Sequence, residues 1–91
     1  MHAKSEIDAE IGRKIRFFRK EKKITQRQLA TKLNISHQQL QKYETGENKI
    51  SASRFYSVCL LLKVGINDFF LEKDELQEKK ILQNLDRKSV V

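Results

Sequence analysis

Polar and apolar positions follow a helical period in segment 25–46, and the segment contains two helix starts. Thr25 stands three residues before Gln28, and Ser36 stands three residues before Gln39. Each pair has the form of a capping box, in which a hydroxyl and a side-chain amide satisfy free backbone N–H groups at a helix N-terminus. The pattern therefore predicts two short helices that begin eleven residues apart.

Only Asn34 and Ile35 are left as a turn between these two helices. Asn accepts the left-handed backbone that a tight corner needs, and the small Ala30 lets the helices approach closely. The apolar residues fall where they would face one core: Leu29, Leu33, Ile35, Leu40 and Tyr43. Four polar residues are left facing outward on the second helix: His37, Gln38, Gln41 and Lys42. An exposed helix face with hydrogen-bonding tips is suited to reading another molecule.

Helices are also predicted on both sides of this segment. The first starts after Ser5, ends in the basic run 19–23, and has apolar residues at helical spacing: Ile7, Ile11, Ile15 and Phe18. After a short loop, Ser51 can cap a fourth helix, for which Gly65 supplies a stop. Asn67 is expected to cap a short fifth helix, whose aromatic residues would close the core: Phe69 and Phe70.

The tail, residues 72–91, is more highly charged than the segment before it. Its apolar residues form a stripe that predicts a sixth helix: Leu76, Ile81, Leu82 and Leu85. The sequence contains no Pro, no internal repeat and no Gly/Ser-rich linker. We therefore expect an all-α fold, with one compact five-helix domain at residues 1–71 and a charged amphipathic C-terminal helix or tail at residues 72–91.

Eight residues of the central segment have the spacing of a known family: Gln26, Ala30, Leu33, Ile35, Ser36, Leu40, Glu44 and Gly46. With them the chain resembles the lambda-repressor-like, Cro/C1-type (XRE) helix-turn-helix family, from about Ile11 to Phe70. The resemblance implies a lambda-repressor-like DNA-binding domain. Two positions depart from the family pattern, because Asn34 stands where Gly is common and Ile50 where Pro often follows the third helix.

Basic residues are concentrated in the same part of the chain. Residues 11–63 carry thirteen Lys and Arg residues against three Glu, a balance of +10, whereas residues 1–10 carry −2 and residues 64–91 carry −1. A localised positive field attracts a polyanion and speeds encounter with it. Together with the resemblance, this charge indicates double-stranded DNA as the partner. A basic surface kept for solubility is the alternative.

Length and the remaining composition narrow the class of protein. Ninety-one residues leave no room for a ligand-sensing domain, and the single Cys59 lies in an apolar run, which favours a buried thiol in a reducing cytosol. No signal peptide or membrane span is evident. No cluster has metal-ligand spacing, and no cofactor is expected. With the family resemblance, we expect a soluble, cytoplasmic protein of bacterial or phage origin, associated with the nucleoid.

The exposed row on the third helix is suited to direct readout of base edges in the major groove. Gln pairs bidentately with adenine, and Lys donates to guanine acceptors. We expect His37 and Gln38 to meet base edges first, with Gln41 and Lys42 one turn later. His37 has two alternative roles, a phosphate contact or no contact at all.

Phosphate contacts are expected from the edges of the motif. Gln26 offers its amide and the free backbone N–H groups of a helix N-terminus, and the resemblance implies that it also braces the first reading residue. The other expected phosphate contacts are Ser36, Thr45, Asn48, Lys49 and Arg27.

Glu44 needs a separate explanation, because a carboxylate at the end of a recognition helix repels DNA and lies at the unfavourable end of the helix dipole. We expect it to form a structural ion pair with Arg19, as the resemblance also implies. An exposed Glu without consequence is the alternative.

These expectations combine into a sequence-specific DNA-binding protein, most simply a homodimeric transcriptional regulator that acts as a repressor. A dimer is expected because one short recognition helix contacts too few base pairs for useful affinity. The tail stripe would either form that interface or pack back on its own domain. The alternatives are a protein partner bound to the tail, as in an antitoxin-like regulator, and a protein-interaction adaptor. Enzyme activity is not expected, since the sequence lacks paired acid and base groups and a phosphate-cradling Gly-rich loop.

Overall fold

The computed structural model describes residues 6–71 and 73–89, the last helix without the side chains of residues 73, 74 and 84–89. Within these ranges the chain forms six helices and no strand: α1 (Glu6–Glu21), α2 (Gln26–Leu33), α3 (His37–Thr45), α4 (Ala52–Leu62), α5 (Ile66–Phe69) and α6 (Lys73–Ser89). The all-α fold predicted from the sequence is confirmed.

Side-chain caps define where the central helices begin. At α2, Gln28 N–H donates to Thr25 Oγ1 at 3.0 Å, and Thr25 N–H donates to Gln28 Oε1 at 2.8 Å. This is the complete capping box expected there. At α3 the hydroxyl half of the box is present, since Gln39 N–H donates to Ser36 Oγ at 3.1 Å. Each such cap is worth about 1 kcal/mol, so both motif helices start where the sequence predicts.

Four of the described helices end at a residue in the left-handed conformation, and at three of them this residue is not Gly. Asn34 (φ 59°) ends α2, as expected, and Lys23 (φ 58°) follows α1 while Lys63 (φ 57°) follows α4. The prediction that Gly65 stops α4 is wrong. The helix ends earlier because Lys63 N–H and Val64 N–H bond back to carbonyls of its last turn.

The start of α5 also differs from the prediction. Gly65, with an ordinary φ of −65°, occupies the N-cap, and no side chain caps this helix. Asn67 lies inside α5 and does not cap it. The short helix is instead held by Phe69, whose ring is fully buried.

The core lies where α1 to α5 meet and consists of eleven buried residues: Ile15, Phe18, Leu29, Ala30, Leu33, Leu40, Tyr43, Val58, Cys59, Leu62 and Phe69. Two residues expected in it are exposed. Ile7 lies in the first turn of α1 and is 70% exposed. Phe70 follows the last residue of α5, and its ring packs on the outside of Phe69 with centroids 5.2 Å apart.

The helices α1 and α3 approach each other closely at Gly12, a buried residue in the middle of α1. A Cβ atom at this position would lie 2.3 Å from the Tyr43 carbonyl oxygen and 2.5 Å from that of Glu44. Gly46, which ends α3 with φ 80°, packs on the backbone of Ala9 in the same way. The backbone of α1 therefore fixes the position of α3 directly.

The apolar stripe of α6 divides between two environments. Leu76 packs against the core, and the same part of the helix forms ion pairs with the domain, from Lys79 to Asp68 and from Lys80 to Glu21. Ile81 and Leu82 remain 54% and 61% exposed. Leu85, the fourth residue of the predicted stripe, lies outside the described side chains. Ser5, after which α1 was predicted to start, lies outside the described residues.

Candidate nucleic-acid interface

The outward face of α3 carries the four residues predicted to read bases. Gln38, Gln41 and Lys42 are exposed, and their spacing of three and four residues places them on one side of the helix. His37, the first residue of α3, is half-buried. Opposite this row, Leu40 and Tyr43 face the core. The helix therefore presents a continuous row of hydrogen-bonding groups on a rigid support.

The hydroxyl of Tyr43 anchors α3 to α4. Arg54 Nη1 donates to Tyr43 Oη at 3.2 Å, although the Tyr43 ring itself is buried. From the sequence, Tyr43 is expected only as a core residue. Its hydroxyl adds a polar link that holds α3 from the side opposite to the exposed row.

The expected phosphate contacts surround this row. Apart from Gln26, all of these residues are exposed: Arg27, Ser36, Thr45, Asn48 and Lys49. Some of their polar groups already have partners. Ser36 Oγ caps α3, and Thr45 Oγ1 donates to the Lys42 carbonyl oxygen at 3.2 Å. Arg27, on α2, and Lys49, after α3, have exposed side chains.

Arg19 and Glu44 form a buried ion pair, the pairing expected from the sequence. Arg19 Nε donates to Glu44 Oε2 at 2.7 Å, and Arg19 Nη2 donates to Glu44 Oε1 at 3.1 Å. This bidentate geometry is the strongest arrangement for a guanidinium and a carboxylate. The two residues are only 7% and 6% exposed. The negative charge of Glu44 is thus neutralised inside the domain and withdrawn from the exposed face.

Gln26 joins the same cluster. Its Nε2 donates to Glu44 Oε1 at 3.0 Å, and Arg19 Nη1 donates to the Ile24 carbonyl oxygen at 2.9 Å. The Gln26 amide was expected to contact a phosphate, but one of its N–H groups donates to Glu44 instead. Of the backbone N–H groups at the start of α2, that of Gln28 caps the helix by donating to Thr25 Oγ1, which leaves those of Gln26 and Arg27 for phosphate. The cluster ties the end of α1, the start of α2 and the end of α3 together.

A basic groove beside α3 contains residues for which the sequence predicts no role. Arg16, Lys20 and Lys23, all on or just after α1, line it together with Gln26 and with Gln41. The sequence showed the basic run at the end of α1. It did not show that one face of this run lies beside the exposed row of α3, because that depends on the crossing of the two helices.

The described part of the chain contains no reactive thiol, no metal site and no membrane-spanning helix. Burial raises the pKa of the Cys59 thiol, so this residue stays protonated at neutral pH and packs as a small apolar group. Within residues 6–71 and 73–89, no three His, Cys, Asp or Glu side chains come together as metal ligands. None of the described helices is both long and apolar enough to cross a membrane.

Comparison with known proteins relates this arrangement to characterised folds. Residues 15–69 match the helix-turn-helix family. An uncharacterized transcriptional regulator in the ATPase CF(0) region of Rhodospirillum rubrum is 44% identical over 64 residues, which cover 70% of this chain and 59% of that protein. An uncharacterized HTH-type transcriptional regulator of Rickettsia conorii is 42% identical over 64 residues, covering 70% and 51%. The chain therefore spans between half and three fifths of the length of these two relatives.

A solved structure has the same fold over nearly the whole chain. The clp gene regulator ClgR from Corynebacterium glutamicum superposes with a TM-score of 0.71 at 26% identity, and the match covers 93% of this chain and 92% of that one. The exposed row of α3 and the groove beside it therefore lie on a scaffold shared with a gene regulator.

Proposed function

The chain belongs to the Cro/C1-type helix-turn-helix family, and we propose that it binds double-stranded DNA sequence-specifically as a transcriptional regulator. The observation that carries the proposal is the exposed row on α3, where Gln38, Gln41 and Lys42 share one side of the helix. An α-helix fits the major groove, and base edges there present a distinct pattern of donors and acceptors for each base pair. The proposed activity is binding, without enzymatic chemistry, in the cytoplasm at the nucleoid.

We assign direct base readout to His37, Gln38, Gln41 and Lys42, with Gln38 as the main residue for specificity. Gln38 is exposed in the first turn of α3, which enters the groove deepest in this class of motif. Phosphate contacts are assigned to Ser36, Thr45, Asn48, Lys49, Arg27 and the backbone N–H groups at Gln26. The pair of Arg19 and Glu44 is assigned a structural role, because both side chains are buried.

Selection of bound duplexes from a random pool, followed by a salt titration of the best one, tests the proposal. We expect the selected duplex to bind at least about 10³-fold more tightly than random sequence. We expect log affinity to fall with log salt by about 0.9 for each phosphate contacted. A shallow salt dependence, together with no enrichment of any sequence, is the result expected of a protein-interaction adaptor instead.

Two alanine substitutions separate base reading from phosphate binding. Gln38→Ala should lower discrimination at one base pair by about 1–3 kcal/mol, because a bidentate contact is lost. Lys49→Ala should weaken every duplex alike and reduce the salt slope by about 0.9. Both residues are exposed, so neither change should affect folding. Equal loss on all sequences for Gln38→Ala would contradict its assignment as a reading residue.

We further propose a homodimer that represses transcription by occupying two half-sites about 34 Å apart on one face of the duplex. The second half of α6 supplies the interface in this proposal, since Ile81 and Leu82 stay exposed beside the part that packs on the domain. A protein partner would use the same surface. Tail 72–91 is then an accessory to the DNA-binding domain at residues 1–71.

Substitution of the two exposed residues tests the interface more cleanly than truncation, which would also remove the packing of Leu76. Ile81→Ser with Leu82→Ser should convert the dimer to a monomer in sedimentation equilibrium. Leu60→Ser is the matched control, because Leu60 on α4 is also 60% exposed. Loss of the dimer in Leu60→Ser alone would move the interface to α4, and a monomeric wild type would exclude the dimer.

A further inference from the structure

The loop at residues 46–51 joins α3 to α4 and carries two of the proposed phosphate contacts, Asn48 and Lys49. Asn48 is tied to α3, because its backbone N–H donates to the Lys42 carbonyl oxygen at 3.2 Å. Ile50, two residues later, packs against the core just before α4 begins. Lys49 is exposed between these two points. Its position therefore depends on where α4 begins relative to α3.

The helices α3 and α4 pack mainly on other helices. The main neighbours of α3 are α1 and α2, and those of α4 are α2, α1 and α5. A hydrogen bond joins the two helices directly, since Arg54 Nη1 in the first turn of α4 donates to Tyr43 Oη at 3.2 Å. The backbone N–H of Arg54 also donates to Ser51 Oγ at 3.2 Å, which caps α4. Arg54 therefore links both the end of the loop and the start of α4 to α3.

Tyr43 is a rigid partner for this contact. Its ring is only 8% exposed and belongs to the core, so its hydroxyl has a fixed position. Arg54 is half-buried, and the structure gives its guanidinium no carboxylate partner among the described residues. Two consecutive residues of α3 thus hold the loop, Lys42 through its carbonyl oxygen and Tyr43 through its hydroxyl.

We propose that Arg54 is a positioning residue for DNA binding, which acts through the Tyr43 hydroxyl to hold Lys49 in a fixed place relative to the exposed row of α3. The inference rests on the proposed function and requires no contact between Arg54 and DNA. The loop contains no Pro that would restrict its backbone, so its order depends on the contacts at its two ends. A loop that is ordered before binding loses less conformational entropy on the duplex, which raises affinity without any new contact.

A positioning role has a different signature from that of a cation that touches phosphate. Loss of the Tyr43 hydroxyl removes no charge, so the number of phosphates contacted and the salt slope stay the same. The loop of the free protein becomes more mobile, and affinity falls alike on every sequence. A role in folding alone would instead lower the amount of folded protein and leave the affinity of the folded fraction unchanged.

The test compares Tyr43→Phe with Tyr56→Phe in the full chain, first without DNA. Each variant loses one oxygen atom and keeps its ring, so both should remain folded. Tyr56 on α4 is the matched control, because it is 54% exposed. The backbone amide of Asn48 should exchange with deuterium about two- to tenfold faster in Tyr43→Phe, since a hydrogen bond that holds the loop is lost. Its exchange should not change in Tyr56→Phe.

The selected duplex and the salt titration described above give the second measurement. Tyr43→Phe should bind about three- to tenfold more weakly, with the salt slope and the base preference of wild type. The loss should be smaller in the Lys49→Ala background, because the loop then positions one contact fewer. Lys49→Ala by itself lowers the slope, so the salt dependence distinguishes the two residues. Tyr56→Phe should bind like wild type.

Arg54→Gln tests the other partner of the hydrogen bond. It should speed exchange at Asn48 as Tyr43→Phe does, and the double variant should show no further increase, because both changes break the same contact. Lys32→Gln is the control for the lost charge, since Lys32 is exposed and lines the same groove as Arg54. This control should leave exchange at Asn48 unchanged.

Three results would overturn the inference and leave the proposed function in place. The first is unchanged exchange at Asn48 in Tyr43→Phe, and the second is an equal loss of affinity in Tyr43→Phe and Tyr56→Phe. The third is a loss in Tyr43→Phe that is just as large in the Lys49→Ala background. If wild type selects no duplex, the proposed function fails, and the inference fails with it.

Discussion

The Glu44→Ala variant is expected to lose about 3–5 kcal/mol of unfolding free energy. Removing this carboxylate leaves the Arg19 guanidinium buried without a counter-charge, which is the most damaging way to break a buried ion pair. Arg19 is only 7% exposed and donates two hydrogen bonds to Glu44, and Gln26 donates a third. A domain of this size has a total stability of about 5–13 kcal/mol, so the loss is a large fraction of it.

Thermal and urea unfolding of Glu44→Ala and Glu47→Ala give the measurement and its control. Glu47 lies three residues after Glu44 and carries the same charge, but it is exposed. The unfolding free energy of Glu47→Ala should therefore stay within about 0.5 kcal/mol of the wild-type value. Glu44→Ala should lower Tm by at least about 12 °C. Two variants of equal stability would show that the buried pair adds nothing to folding.

Replacing both partners by apolar residues separates two effects: the loss of the ion-pair attraction, and the cost of leaving one charge buried without a partner. Arg19→Met combined with Glu44→Leu should recover at least half of the loss, because no buried charge is left without a partner. The two changes are therefore expected to be strongly non-additive. Additive losses would indicate that each residue acts through separate contacts.

The helical fold could be predicted because local signals agree with one another. Thr25 and Ser36 mark helix starts through contacts with residues only three positions away, and Asn34 marks a turn through its own backbone preference. The predicted end of α4 at Gly65 was wrong, because a helix end also depends on backbone hydrogen bonds. Backbone hydrogen bonds at Lys63 outweigh the left-handed penalty of a Lys side chain, and residue type alone does not reveal such a balance.

The sequence predicts two parts of the candidate site, one within α3 and one pair that joins α1 to α3. The row on α3 follows from helical spacing, and the pair of Arg19 and Glu44 follows from the need to neutralise a carboxylate near DNA. The groove formed with α1 was missed, because it depends on the angle and distance at which α1 crosses α3. Those are set by close backbone contact at Gly12, a residue that no sequence pattern in the chain singles out.

Gly12→Ala is therefore expected to be among the most destabilising single-methyl changes in the protein, at about 2 kcal/mol. The added Cβ would lie 2.3 Å from the Tyr43 carbonyl oxygen and 2.5 Å from the Glu44 carbonyl oxygen. These are backbone atoms of α3 that cannot rotate away, so the two helices must separate. Overpacking of this kind costs about 1–3 kcal/mol or more, and it outweighs the roughly 1 kcal/mol by which Ala is the better helix former.

Gly65→Ala is the matched control for this prediction. Gly65 has φ −65°, and a Cβ atom there would find its nearest neighbour, Asp68 Oδ2, at 3.7 Å. This variant should stay within about 1 kcal/mol of wild type, because the lower chain entropy of Ala in the unfolded state and its poorer fit at an N-cap act in opposite directions. The urea midpoint should thus fall clearly for Gly12→Ala and change little for Gly65→Ala. An unchanged midpoint for Gly12→Ala would mean that α1 and α3 tolerate separation, and the position of α3 could not then depend on contact with α1.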